Sequence, residues 1–102
     1  MPLTRLHHYQ SLGRRGLPAD VDAIMQLLAT DATLSASRLA DYALSLVNTA
    51  AGRRRIEHYL FNGELLIQRN YAALYFKRRG EVWRIRHAFE QGLIDEIQAF
   101  SV

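Results

Sequence analysis

The stretch Gln68–Glu81, QRNYAALYFKRRGE, decides how the whole chain is read. Arg69 is followed by the pair Ala72 and Ala73, then by the large apolar Phe76, then by Gly80 and Glu81. Near the N-terminus, Arg5 is followed by Leu12, Gly13 and Gly16, with Leu12 and Gly16 at the distances that separate Phe76 and Gly80 from Arg69. Midway between these copies stand Ala40, Leu44 and Asn48, where the other copies have Ala72, Leu12 and Gly16. The chain therefore carries a weak repeat of 32 residues, with Ser37 and Asp41 breaking its middle copy. A Gly or Asn at a fixed distance past a large apolar residue suits a helix C-terminus, because the residue after the last turn often turns left-handed. Gly16, Asn48 and Gly80 are accordingly expected to be three equivalent helix stops. Two helical patterns within each period point to stacked helix pairs, in which no unit buries its apolar face alone.

The pattern R-x-x-A-A-x-x-F-x-x-x-G-E at 69–81 resembles the second helix and turn of a HEAT-like repeat of the phycobilisome-lyase type. L-G-x-x-G at 12–16 fits the same turn. The resemblance implies an all-α fold: a short α-solenoid of antiparallel helix pairs, about three repeats in one domain over 1–102. Members of that family range from scaffolds to bilin lyases and regulators, so the resemblance implies fold rather than activity, and the matching residues report packing.

With 102 residues, 49% of them apolar, the chain is long enough for one domain with a modest core. It has no cysteine, which excludes disulfides and thiolate chemistry. No apolar run approaches the ~20 residues of a membrane span, and MPLTRLHHYQ lacks the apolar core of a signal peptide. A cytoplasmic protein is the expectation. The 13 basic and 10 acidic residues leave a net charge of +3, and its distribution is uneven. Residues 1–52 balance four Arg against four Asp, residues 53–86 reach +6, and residues 87–102 carry −3.

Taken in order, residues 3–12 form a short helix ending at Gly13 or Gly16. Pro18 opens the next, with Val21, Ile24, Met25 and Leu28 on its inner face. Ser35 or Ser37 caps a third helix that runs to Val47, with Asn48 as its stop. Thr49–Gly52 reads as a connector and Arg53–Phe61 as a helix. Asn62-Gly63 is the strongest turn signal. The segment Glu64–Arg79 is apolar on several sides, which predicts a central buried helix. A helix over Val82, Ile85 and Phe89 follows, ended at Gly92, and then a last one with Ile94, Ile97 and Phe100. No strand pattern survives, and the count is six to seven short helices.

Catalytic chemistry has no constellation to rest on. The four histidines (His7, His8, His58 and His87) show no metal-ligand spacing, and no serine sits in a nucleophile elbow. The pairs Asp20/Asp22 and Asp95/Glu96 stand at helix starts, where capping explains them. No cofactor is implied, and a small lyase-like activity would rest on fold analogy alone. What remains is an interaction module that docks a protein partner or a second copy. Its candidate contact residues are Arg53, Arg54, Arg55, Lys77, Arg78, Arg79, Trp83 and Arg84. Trp83 lies off the 82–85–89 stripe and is expected to be an exposed anchor. The same basic clusters, interleaved with aromatics, give the alternative of a nucleic-acid binder. Helix-dipole compensation accounts for the cations at helix ends but not for Arg53–Arg55, which are expected to open a helix.

Overall fold

Among the described residues six helices follow from these patterns: α1 (Pro2–Arg15), α2 (Pro18–Thr30), α3 (Leu34–Ser45), α4 (Ala50–Asn62), α5 (Leu66–Arg78) and α6 (Val82–Glu90). The computed structural model describes residues 2–95, and among them there is no strand. The expected last helix, with Ile97 and Phe100, lies outside the described residues. Helices α1, α3 and α5 begin at residues 2, 34 and 66, and α2, α4 and α6 at 18, 50 and 82, a constant step of 32. The core keeps the same period. Leu12, Leu44 and Phe76 are buried at one equivalent position, and Ile24, Ile56 and Ala88 at another. Each large member of these sets contributes about 1.5–3 kcal/mol by leaving water.

The chain divides into two compact units, residues 1–56 and 57–102, the boundary falling inside α4. In the first unit α1 and α2 form an antiparallel hairpin. At its turn the Arg15 guanidinium donates to Asp20 (2.7 Å), and at its open end Arg5 donates to Asp31 (3.0 Å). α3 and the first turns of α4 lie alongside. Gln10 Nε2 donates to the Tyr42 hydroxyl (2.8 Å), joining α1 to α3 at positions one period apart. Arg55 Nε donates to Asp22 (2.7 Å), joining α4 to α2. Small residues permit this approach: a Cβ on Gly13 would stand 2.2 Å from the Ala43 carbonyl oxygen, and one on Gly52 would stand 2.1 Å from that of Gly16.

In the second unit α5 and α6 form another antiparallel hairpin, closed at its open end by Arg69. Its Nε donates to the Leu93 carbonyl (2.5 Å) and its Nη1 to that of Gly63 (2.7 Å). The last residues of α4 join α6 through Arg84, whose Nε donates to Glu57 (2.8 Å), and through the Phe61 and His87 rings, 5.5 Å apart.

Several expectations are corrected. Gly16 and Gly80 do adopt positive φ (63° and 73°), but Asn48 does not. α3 ends at Ser45, and no left-handed residue stops it. The cap of α3 is Thr33, whose hydroxyl accepts from the Ala36 amide (3.2 Å), while Ser37 is buried within the helix. Thr49–Gly52 is no connector: Thr49 caps α4 by accepting from the Gly52 amide (2.9 Å), and its own hydroxyl donates to the Gly16 carbonyl (2.6 Å). Arg53–Arg55 thus sit a turn inside α4, beyond the first-turn amides that a cation would oppose. α5 is not buried all round. Gln68, Ala72, Ala73, Tyr75 and Phe76 face inward, whereas Leu65 and Leu66 stay exposed at its start.

Candidate interaction surface

The expected contact residues fall in both units, with different surroundings. Arg53–Arg55 belong to the first. Arg54 is exposed, Arg53 is half-buried, and Arg55 is engaged with Asp22 across the α2–α4 seam. Lys77, Arg78 and Arg79 belong to the second, at the end of α5, where basic side chains complement the exposed carbonyls of a helix C-terminus. The Arg79 guanidinium lies 3.7 Å from the centre of the Tyr75 ring, a cation–π contact, and Nη1 donates to the Tyr75 carbonyl (3.3 Å).

Trp83 and Arg84 are neighbours with opposite fates. Trp83 is 61% exposed, the most exposed aromatic side chain among the described residues. Arg84 turns inward between the carboxylates of Glu57 and Glu81, with its guanidinium 4.9 Å from the Phe76 ring centre and 4.4 Å from that of Trp83. It ties α6 to the end of α4 and holds the Trp83 ring from behind. The cation that shares Trp83's outward face is Arg86. Val82, Trp83, Arg86, His87 and Glu90 together line a hollow of about 460 Å³ on α6. The spacing of His87 and Glu90, three residues apart on a helix, reads as an exposed surface pair, and both are exposed; Arg86 was not singled out by sequence reasoning. The signal that locates Arg86 is the period, because it occupies in α6 the position of Asp22 in α2 and Arg54 in α4.

A second hollow, of about 270 Å³, runs along α5 and is lined by Leu66, Ile67, Asn70, Tyr71 and Leu74. The amide oxygen of Asn70 is shielded from water and accepts no hydrogen bond. An unpaired buried acceptor costs about 1–3 kcal/mol.

The perturbed carboxylates belong to the first unit. The Arg15 guanidinium, helped by the Leu17 amide, holds the buried Asp20 carboxyl below the usual carboxylate range, and the same pairing raises Arg15. The hydroxyl and amide of Thr33, with Arg5, lower Asp31 likewise. Both are structural: Asp20 ties the first hairpin's turn, and Asp31 its open end. Among the described residues no group of three His, Asp or Glu side chains is arranged to hold a metal ion, and no helix is long and apolar enough to cross a membrane. The chain matches no family model, and no curated protein or solved structure is significantly similar to it.

Proposed function

We propose that the chain is a HEAT-like helical-repeat module that acts without catalysis, as a cytoplasmic protein-interaction or scaffold element. The outward face of α6 is its contact surface. The constant step of 32 residues between equivalent helices supports the repeat reading, as do the side-chain contacts between positions one period apart in the first unit. The observation that carries the interaction reading is Trp83. A large aromatic side chain left 61% exposed beside a hollow, and backed by Arg84, has the composition and rigidity of an interface anchor. The roles follow from chemistry: Trp83 and Val82 supply the apolar contact, while Arg86, His87 and Glu90 form a polar rim that selects the partner.

The test is a capture of the tagged protein from its native cell with nuclease present, comparing wild type, Trp83→Ala and Leu17→Ala. Leu17 is a comparably exposed apolar residue in the other unit. A stoichiometric protein partner lost about tenfold or more with Trp83→Ala but retained with Leu17→Ala supports the reading. Equal capture by all three proteins overturns it.

A second reading, nucleic-acid binding, draws on the exposed Arg54 and on the basic end of α5. It requires an affinity that falls linearly with log salt and weakens when Arg53, Arg54 and Arg55 are changed to Ala. A flat salt response removes it.

A further inference from the structure

The first hairpin shows how one repeat of this chain receives the next. On α1 the residue that reaches α3 is Gln10, and on α2 the residue that reaches α4 is Asp22. One further period along each helix pair, the position of Gln10 is held in α5 by Leu74 and that of Asp22 in α6 by Arg86. Leu74 lines the α5 hollow and Arg86 the α6 hollow. The two hollows therefore mark the side of the α5–α6 hairpin that corresponds to the stacking side of α1–α2. This side has two features of an incomplete seam: the exposed Val82 and Trp83, and the half-exposed stripe of Ile67, Tyr71 and Leu74.

We infer that this face docks a second copy of the chain through its own α5–α6 face, in a closed two-fold dimer. The occupant is indicated by charge. Arg86 and Glu90 lie one turn apart on the outward side of α6, and both line its hollow. When α6 meets α6 of the partner copy antiparallel about a two-fold axis, each Arg86 faces the other copy's Glu90, so the surface is complementary to itself. The first hairpin uses the same logic in one chain, with Asp22 meeting Arg55. Trp83 and Val82 supply the apolar contact beside these pairs, and the partner copy's α5–α6 hairpin covers the hollows. The inference rests on the reading of α6 as a contact surface and adds the identity of its occupant.

Sedimentation velocity on the purified full-length protein tests it. The expected result is a monomer–dimer equilibrium, with Trp83 emission shifting to the blue over the same concentration range, since Trp83 is the only tryptophan. Arg86→Glu and Glu90→Arg are each expected to weaken the dimer about tenfold or more, because each sets like charges face to face. The double variant restores the pairing and with it the dimer, a recovery that a folding defect would not give. A chain that stays monomeric at every concentration overturns the inference. So does a dimer that both single variants leave unchanged, or open-ended growth, which would mark head-to-tail stacking. If the protein stays monomeric while Trp83→Ala still abolishes capture of another protein, the dimer fails and the interaction reading stands.

Discussion

Around the buried carboxylate of Asp20 stand three donors: Nε and Nη2 of Arg15, and the amide of Leu17. Because its pKa in the folded state is depressed, its contribution is full above the ordinary carboxylate value near ~3.9 and fades as pH falls through the lower folded value. Asp31 acts in the same direction. The thermal midpoint should therefore decline as pH drops below about 4. Asp20→Asn should lower stability at neutral pH by about 1–2 kcal/mol and reduce the acid-side slope. Thermal unfolding followed by circular dichroism across pH measures both, and an unchanged slope would show that Asp20 is not the group responsible. Asp20 was legible in the sequence as a helix-start carboxylate. Its pairing with Arg15 was not, because it depends on how the turn at Gly16 and Leu17 folds back. For Arg84 the sequence misleads, since an Arg beside an exposed Trp resembles a surface pair until Glu57 and Glu81 close on it.

At the scale of helices, the period is in the sequence but several boundaries are not. Thr49-Ala-Ala-Gly52 has the composition of a connector, yet its small residues form the first turn of α4. There Gly52 lies against the Gly16 carbonyl, and Thr49 bonds to both. Tertiary contact overrides local propensity here. In an isolated helix Gly52→Ala would stabilise by roughly 1 kcal/mol. In this protein the added methyl would lie 2.1 Å from a backbone oxygen and 2.7 Å from Val47 Cγ1, so the expected effect is a net loss of about 1–3 kcal/mol. Gly80→Ala makes the contrast, for nothing lies within 4 Å of its added Cβ and only the positive φ opposes it. Its cost should be about 1–2 kcal/mol, from backbone strain alone. Urea denaturation of the two variants separates the mechanisms, and a stabilised Gly52→Ala would remove the close seam between the two turns. Asn48 marks the opposite failure: a good left-handed residue in the right place, left unused because α3 ends earlier at Ser45.

Across the whole molecule, one helix belongs to both units. α4 gives its first half to the unit containing α1–α3 and its second half to the unit containing α5 and α6. Neither unit is complete while α4 is melted, so unfolding should be a single cooperative transition. The single Trp83 reports the second unit by fluorescence, while circular dichroism reports all the helices. The two denaturant curves should coincide, as two-state behaviour requires. Two resolved steps would show that the halves of α4 melt independently. The uneven charge, +6 over residues 53–86, is also a property of the whole chain. The fold consumes part of it, as Arg55, Arg69 and Arg84 bind within the protein and Arg79 stacks on Tyr75.

What the sequence determined by itself is the helical class and the period of 32, because amphipathic spacing, caps and turn residues act over a few residues and leave their mark in order along the chain. The exposed Trp83 was legible for the same reason, as an apolar residue off its helix's inner stripe. Tertiary structure alone decided which arginines are consumed inside and why Gly52 must be glycine. These depend on distances between helices, which are fixed only when residues a full period apart come within a few ångströms of each other.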